Sequence, residues 1–234
     1  MKKTLGILGG LGPLATADLF RKIVVGTVAS CDNDHIHIFI DNNVNIPDRT
    51  KALKGECESP VEEMVKSAKT LVAAGADILI MPCNTAHAFY GQILERVNIP
   101  FIHMIEETAK TLNEKSVKKV GLLATDGTIL SGVYKNTLDK YGIETILPDA
   151  EHQKAVMELI YSGVKAGRKD FNTDAFMETV AQLKDKGADL FVLGCTELPV
   201  AVNMYKLDIP AIDPTMVLAK SAILAAGYQT NIVI

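Results

Sequence analysis

The stretch that decides the fold occurs twice: residues 75–83 read GADILIMPC, and residues 187–195 read GADLFVLGC. The two stretches align without a gap, and each ends on a cysteine that lies eight residues after its first glycine. An apolar run that follows a glycine in this way is typical of a buried β-strand. A self-match of this kind indicates an internal repeat, in which two similar units form one chain.

The match continues on both sides of these strands. Residues 6–9 (GILG) resemble residues 121–124 (GLLA), and residues 99–102 (IPFI) resemble residues 209–212 (IPAI). The offset between matched positions changes only from 115 to 112 to 110 residues along the chain. Three landmarks with so steady an offset predict a duplicated domain.

Helical patterns precede the repeated strands. Residues 61–74 and 173–186 have the apolar spacing of helices, so each unit alternates strands with helices. This alternation predicts an α/β fold with mainly parallel sheets. Gly75 and Gly187 follow the two helices, where glycine commonly ends a helix. The sequence therefore predicts two pseudo-symmetric α/β domains.

The proline segments of the third landmark are expected to cross between the two domains. We assign residues 1–102 plus 210–234 to an N-terminal α/β domain that contains Cys83. The second α/β domain, residues 103–209, contains Cys195. Ligands of open α/β sheets bind beyond the carboxyl ends of the strands. Because the repeated strands end at the cysteines, we expect both thiols in an active site in the interdomain cleft.

Composition favours a globular protein that acts on small molecules. The chain has 234 residues, 48% hydrophobic and 22% charged, and its net charge of −4 comes without long runs of one sign. This balance indicates neither a nucleic-acid nor a membrane partner. The apolar run at residues 5–10 is too short for a signal-peptide core or a membrane span, so we expect a cytoplasmic protein. The four cysteines form no CxxC motif, and we expect free thiols, with Cys31 and Cys57 packed or near the surface.

Two facing thiols at equivalent positions suit the racemisation of an amino acid. That reaction requires a base on one face of Cα and an acid on the other, and a thiolate and a thiol supply both. Asn84 and Thr85 follow Cys83 and predict a helix start with capping side chains. Thr196 follows Cys195 in the same way, and a helix start lowers the pKa of a nearby thiol. A lone cysteine at a strand end is more often a small buried residue, and only the repeat reverses that expectation.

The motifs around both cysteines resemble a known family. Residues 81–87 (MPCNTAH) and 193–199 (LGCTELP) are similar to the two active-site motifs of the aspartate/glutamate racemase superfamily. Residues 9–16 (GGLGPLAT) resemble that family's first glycine-rich loop, with Leu11 where many members have methionine. The resemblance covers nearly the whole chain. It implies a racemase that needs no pyridoxal phosphate and uses the two cysteines as paired acid and base.

Within the superfamily the chain resembles the aspartate racemase branch. Glu197 stands where glutamate racemases typically carry a histidine, and residues 47–50 (PDRT) and 163–167 (GVKAG) are similar to the same branch. The resemblance implies that Arg49 and Lys165 bind the side-chain carboxylate of the substrate, in accord with their charge. Without the flanking motifs, either residue would be interpreted as solvated surface charge.

The resemblance also assigns the other substrate-binding residues. Asn84, Thr85 and Thr196 would hold the α-carboxylate, and simple helix capping is the alternative role for them. Glu197 disfavours a nearby thiolate but could accept a hydrogen bond from the substrate ammonium group. Leu11 joins this set through its place in the glycine-rich loop. A homodimer is implied as well.

Several alternatives stay open from the sequence. A glutamate racemase, a broader-specificity amino-acid racemase, a hydantoin racemase or a maleate isomerase would use the same cysteines, although Arg49 and Lys165 argue against an uncharged side chain. A non-catalytic amino-acid-binding module is a further possibility, against which the paired thiols weigh.

No cofactor is expected. The glycine-rich start fits neither a GxGxxG dinucleotide fingerprint nor a phosphate-binding GxxxxGK[ST] loop. The histidines have no persuasive metal-ligand grouping, so no metal is expected either. For His87, a structural or capping role is favoured over tuning of Cys83.

Overall fold

The computed structural model describes residues 2–234, within which seven strands form two sheets. The strands are β1 (Leu5–Gly9), β2 (Ile38–Asn42), β3 (Ile78–Ile80), β4 (Lys119–Ala124), β5 (Glu144–Ile146), β6 (Leu190–Gly194) and β7 (Ala211–Ile212). The strand order is β2-β1-β3 in the first sheet and β5-β4-β6-β7 in the second, and neighbouring strands are parallel. The predicted α/β fold with parallel sheets is confirmed.

The two sheets share a plan that matches the sequence repeat. β1 pairs with β3 so that Gly6 lies beside Leu79, and β4 pairs with β6 so that Gly121 lies beside Phe191. A Cβ at either glycine would lie 2.7 Å from the neighbouring side chain. Both positions therefore need glycine, and this shared packing requirement explains why the GILG and GLLA segments match.

Helices cover the sheets, and eleven α-helices lie within residues 2–234. They are α1 (Pro13–Gly26), α2 (Arg49–Leu53), α3 (Val61–Ala74), α4 (Tyr90–Leu94), α5 (Met104–Glu114), α6 (Asp126–Leu130), α7 (Val133–Lys140), α8 (Ala150–Glu158), α9 (Asp174–Asp185), α10 (Glu197–Tyr205) and α11 (Pro214–Ala225). A 3₁₀ turn (Thr85–Phe89) precedes α4, and a π-helical segment (Leu159–Lys165) continues α8. None of the helices in this range is both long and apolar enough to cross a membrane.

The two helices predicted before the repeated strands are α3 and α9. Gly75, with a φ of 105°, ends α3 in the left-handed conformation, and Gly187, with a φ of 92°, turns the chain after α9. Other residues rarely adopt such angles, so both glycines direct the chain from a helix into a strand. β3 begins at Ile78 and β6 at Leu190. Each is parallel to its neighbouring strands, so its carboxyl end lies at the same edge of the sheet as theirs.

Helices α5 and α11 join the two sheets. Met104 and Leu218 pack in the core of the first sheet, whereas the adjacent Ile105 and Val217 pack in the core of the second. β7 pairs with β6 of the second sheet, while α11 packs against α1 of the first. The domain boundaries near residues 102 and 210 stay a prediction, because the elements beside them contribute to both units.

Candidate active site

Both repeated strands place their cysteines in one cleft. Cys195 follows β6 directly, and Cys83 lies three residues beyond the end of β3. Each cysteine is 7% exposed, and both line the cleft at the carboxyl ends of the two sheets. The space between the lining side chains, part of which is open to solvent, is about 340 Å³.

Every residue that the sequence predicts for the site lines this cleft. They are Leu11, Arg49, Cys83, Asn84, Thr85, Lys165, Cys195, Thr196 and Glu197. Residues distant in the sequence are therefore brought together as expected, while their chemical roles stay proposals.

Four further residues line the cleft and were missed by sequence reasoning: Asp48, Thr50, Thr125 and Tyr161. The PDRT motif contained a signal for the first two, since they flank its arginine. Thr125 directly follows the repeated GLLA segment, so the repeat pointed to its position. Tyr161 lies four residues before the predicted lysine, and nothing in the sequence showed that this segment would be π-helical.

A carboxylate holds the Cys195 thiol. The Sγ atom donates a hydrogen bond to Glu197 Oε2 at 3.0 Å, and the Thr196 hydroxyl donates to the same oxygen at 3.2 Å. Burial, with the negative charge of Glu197, raises the pKa of the Cys195 thiol well above its usual value. The start of α10 does not offset these effects, so Cys195 is a protonated thiol in this structure.

Lys165 ends the π-helical segment and faces Glu197. Its Nζ lies 3.8 Å from Glu197 Oε1 and 4.5 Å from the centre of the Tyr161 ring. Burial lowers the pKa of this ammonium group, but the charge of Glu197, together with smaller contributions from other acidic groups at the cleft, outweighs that effect and the pKa is raised. Because its side chain is 33% exposed, the Lys165 ammonium group keeps some contact with water and stays charged. The cleft therefore has a positive charge on this wall.

Backbone carbonyls fix the guanidinium of Arg49. Its Nη2 donates to the Leu11 carbonyl at 2.7 Å, and its Nη1 donates to the carbonyls of Ile46 at 3.2 Å and Pro47 at 3.0 Å. The Nε atom is buried and has no hydrogen-bond partner among residues 2–234. Arg49 is thus held rigidly at the cleft with an unused donor.

The glycine-rich loop lies against the Cys195 loop. The side chain of Leu11 is buried at the cleft, and its carbonyl accepts from Arg49. A Cβ on Gly12 would lie 3.0 Å from Glu197 Oε1, so glycine allows the loop to approach this carboxylate closely. The Leu11 side chain therefore forms an apolar part of the cleft wall, and the Leu11 carbonyl helps to hold the Arg49 guanidinium in place.

Residues after Cys83 are hydrogen-bonded to the second half of the chain. The Tyr134 hydroxyl donates to Asn84 Oδ1 at 2.6 Å. The Thr85 hydroxyl lies 2.8 Å from Thr128 Oγ1 and 3.1 Å from Thr125 Oγ1. In the part of the chain that is described, Asn84 Nδ2 is buried and unpaired. This is the second free donor at the cleft.

The predicted capping roles of Asn84, Thr85 and Thr196 are wrong. Asn84 and Thr196 have helical backbone angles, and within residues 2–234 neither side chain makes a capping hydrogen bond. Side chains normally cap a helix from an extended backbone. Cys83 is followed by a 3₁₀ turn instead of an α-helix start, and Thr85 lies within that turn. Asn84 and Thr85 bond instead to side chains of the second half of the chain, and Thr196 bonds to the neighbouring Glu197 carboxylate.

His87 is a structural residue beneath the Cys83 loop. Its Nε2 accepts a hydrogen bond from the Met104 N–H at 3.2 Å, so Nδ1 carries the proton and donates to the Cys83 carbonyl at 2.7 Å. Burial lowers the pKa of His87 to about 3, with a smaller contribution from His103. The neutral ring therefore ties the Cys83 loop to the start of α5, as the favoured structural role predicts.

The remaining cysteines and histidines do not add to this site. Cys31 and Cys57 are free and exposed thiols, as expected, and neither lines the cleft. Across residues 2–234, no group of three or more His, Cys, Asp or Glu side chains is arranged to hold a metal ion.

Known proteins share both the sequence and the architecture of this chain. Residues 8–222 match the family described as Asp/Glu/Hydantoin racemase. The broad specificity amino-acid racemase RacX of Bacillus subtilis is 31% identical over 97% of this chain and 100% of its own length. The structure of the Picrophilus torridus aspartate racemase aligns with a TM-score of 0.82 and 36% identity, over 98% of this chain and 96% of that one.

A more distant structure shows the same fold. Glutamate racemase from Francisella tularensis, solved in complex with D-glutamate, aligns with a TM-score of 0.72 and 21% identity, over 99% of this chain and 85% of that one. At this identity the likeness establishes the architecture alone. The family match and the full-length relative go further: the chain belongs to the Asp/Glu/hydantoin racemase family and is therefore assigned to the isomerases.

Proposed function

We propose that the protein is a cofactor-independent racemase that interconverts L- and D-aspartate, with Cys83 and Cys195 as its two acid/base groups. The observation that carries the proposal is the pair of cysteines at equivalent strand ends, both lining one cleft with Arg49 and Lys165. The likeness to the Picrophilus torridus aspartate racemase over almost the whole chain supports the same substrate.

The hydrogen bond from Cys195 to Glu197 sets the direction of the first step. Because Cys195 already holds a proton, Cys83 must act as the base on the enantiomer whose Cα–H faces it. The Cys83 thiolate takes that proton, and the electron pair left on Cα delocalises into the α-carboxylate. Cys195 then gives its proton to the opposite face of Cα. The product is the other enantiomer, with Cys83 as thiol and Cys195 as thiolate.

Glu197 makes the reverse reaction favourable for Cys195. After one turnover, the new Cys195 thiolate lies next to the Glu197 carboxylate in a buried site, and the two negative charges repel. The raised pKa of Cys195 makes this thiolate a strong base, which removes a proton from the product enantiomer and returns the site to its initial state. Lys165 partly balances the charge.

The free donors of the cleft support an anionic substrate. Asn84 Nδ2 and Arg49 Nε are buried and lack a partner within residues 2–234, and such a donor costs about 1–3 kcal/mol until an acceptor reaches it. We assign Arg49 and Lys165 to the side-chain carboxylate of aspartate. We assign Asn84, with Thr85 and Thr196, to the α-carboxylate, where negative charge grows in the transition state.

Two other residues complete the proposed substrate site. Glu197 would accept a hydrogen bond from the substrate ammonium group, since its carboxylate lies at the cleft beside Cys195. Leu11 would pack against the apolar part of the substrate, because its buried side chain lines the same cleft.

A broader-specificity amino-acid racemase is the second candidate. The chain aligns with the full length of the Bacillus subtilis broad specificity racemase, and this observation favours a wider range of substrates. The two candidate functions differ in whether the substrate must carry a negatively charged side chain to pair with Arg49 and Lys165. If both cations bind the substrate side chain, an uncharged or basic side chain leaves them unpaired and reacts slowly.

The test is racemisation of L-aspartate, L-glutamate, L-alanine and L-lysine, each followed by chiral chromatography with protein to which no cofactor has been added. We expect D-aspartate to form fastest, by about tenfold or more over alanine and lysine, since one lost charge-assisted contact has about that effect. Similar rates for all four substrates would favour the broader enzyme. Racemisation of none of them would refute the proposal.

The quaternary state is a separate proposal. We infer a homodimer, because the resemblance to the racemase superfamily implies one, and we retain the expectation of a cytoplasmic location. Light scattering in solution tests the dimer. A mass of about twice the chain's 25.3 kDa supports it, and the mass of a single chain contradicts it.

A further inference from the structure

Tyr134 lies at the start of α7, in the second half of the chain, and reaches the loop that follows Cys83. Its side chain is 1% exposed and packs in the core of the second sheet. Its hydroxyl donates to Asn84 Oδ1 at 2.6 Å. Burial raises the pKa of Tyr134 well above its usual value, so the hydroxyl keeps its proton and remains a donor.

This hydrogen bond fixes the orientation of the Asn84 amide. An asparagine amide has an acceptor end and a donor end, which exchange places when the group rotates by half a turn. Because Oδ1 is bonded to Tyr134, the NH₂ group is the end that remains available. Asn84 lines the cleft and is 2% exposed, and Nδ2 is unpaired within the described chain. A substrate carboxylate only accepts hydrogen bonds, so it needs this end of the amide.

The neighbouring Thr85 shows the same dependence on the second half. Its hydroxyl forms a buried group with the hydroxyls of Thr125 and Thr128, which lie 3.1 Å from each other. Consecutive residues after Cys83 are thus held by side chains from the end of β4, from α6 and from α7. The loop is therefore positioned by side chains from the second half of the chain.

We propose that Tyr134 is a positioning residue for substrate binding, which directs the Asn84 amide N–H towards the α-carboxylate of the substrate by holding Asn84 Oδ1. The proposal rests on the proposed racemase function. Tyr134 itself does not line the cleft, so it acts through Asn84. Because the two residues belong to different halves, docking of the halves also prepares the carboxylate site.

The test compares the kinetics of aspartate racemisation in the full chain carrying Tyr134→Phe, Asn84→Ala or both changes. Phenylalanine keeps the buried ring and removes only the hydroxyl. Tyr90→Phe is the matched control, because it removes a hydroxyl that donates to the Phe101 carbonyl away from the cleft. Thermal unfolding of each variant shows whether it is folded under the conditions of the assay.

We expect Tyr134→Phe to raise the KM for aspartate about tenfold, because the bound carboxylate loses an oriented donor, and to lower kcat by a smaller factor, since the same donor meets the charge that grows in the transition state. In the Asn84→Ala background the same change should have no further effect, since the amide that it orients is gone. Tyr90→Phe should keep the wild-type KM.

Three results would overturn the inference. The first is a wild-type KM in folded Tyr134→Phe protein, and the second is an equal rise in KM when Asn84 is already alanine. The third is a matching rise in Tyr90→Phe, which would indicate a general loss of structure. If the wild-type protein itself does not racemise aspartate, the proposed function fails first, and this inference fails with it.

Discussion

The loop from Cys83 to Thr85 and the loop from Cys195 to Glu197 occupy equivalent places in the two halves, yet their hydrogen bonds differ. In the first loop, Asn84 and Thr85 bond to side chains of the opposite half. In the second loop, Cys195 and Thr196 both bond to the Glu197 carboxylate within the same loop. The two halves therefore share a backbone arrangement but not the hydrogen bonds around their cysteines.

This difference shows how a symmetric scaffold can give two cysteines different surroundings. The Cys195 loop contains its own proton acceptor, which keeps the thiol protonated in the free protein. The Cys83 loop has one amide and one hydroxyl at the corresponding positions, and no carboxylate. In the proposed mechanism, this difference makes the enantiomer whose Cα–H faces Cys83 the first to react.

The largest effect should come from removing either thiol. Cys83→Ala and Cys195→Ala each remove one of the two proton-transfer groups, so we expect each to lower kcat for aspartate racemisation on the order of 10³-fold. Chiral chromatography of both reaction directions measures this. Cys31→Ala, at an exposed thiol, is the matched control and should keep wild-type activity. Substantial racemisation by either cleft variant would show that one cysteine suffices.

A smaller effect should follow from making the two loops electrically more alike. Glu197→Gln removes the negative charge beside Cys195 and keeps the shape of the side chain, so the pKa of the Cys195 thiol should fall. In the Cys83→Ala background, the rate of Cys195 alkylation is followed against pH by mass spectrometry. At a pH below the pKa, each unit by which the pKa falls raises the thiolate fraction, and with it the alkylation rate, about tenfold.

The control for that experiment is Glu178→Gln, which neutralises an exposed carboxylate outside the cleft. It should leave the alkylation profile of Cys195 unchanged. An unchanged profile in Glu197→Gln as well would contradict the assignment of the raised pKa to this carboxylate.

The smallest effect on activity should come from His87, because its ring does not line the cleft and contacts only the backbone carbonyl of Cys83 there. Its main contribution is to stability. The pKa of His87 is about 3 in the folded protein and about 6.5 when unfolded, so the unfolded chain binds the proton first as pH falls. This residue therefore contributes no pH dependence above about pH 6.5. Below that value it lowers the free energy of unfolding by about 1.4 kcal/mol per pH unit, down to about pH 3.

Urea unfolding at pH 7 and pH 5 measures this contribution. Wild-type protein should lose about 2 kcal/mol more than His87→Gln between these two values, because the variant has no imidazole to protonate. At pH 7 the variant should be less stable by about 1–3 kcal/mol, since a buried hydrogen-bonding group is left unpaired. Equal losses in both proteins would contradict the neutral, buried state of His87.

Sequence was sufficient for the fold and for nine of the thirteen residues that line the cleft, because both depend largely on local pattern. Gly6 and Gly121 match since each lies beside a large side chain of the neighbouring strand. Cys83 and Cys195 follow the ends of parallel strands, and such ends meet at the same edge of a sheet. Arg49 and Lys165 were identified through motifs that stand far apart in the chain.

The partners of the site residues could not be predicted in this way. Tyr134 and Thr128 lie outside every motif, and their contacts with Asn84 and Thr85 depend on how the two halves dock. The capping prediction failed for a related reason: residues of the right type followed each cysteine, but their backbone was already helical. The spacing of residues along the chain does not show which distant hydroxyl will form a hydrogen bond with a given side-chain amide.

The most direct test of the two-thiol account is racemisation of L-aspartate in deuterated water, with the deuterium content at Cα measured separately in substrate and product early in the reaction. Two cysteines on opposite faces predict that newly formed D-aspartate carries deuterium while the remaining L-aspartate does not, because the removed proton and the delivered proton belong to different thiols. Early D-aspartate that retains the original Cα proton would contradict the account, since a single base would then serve both faces.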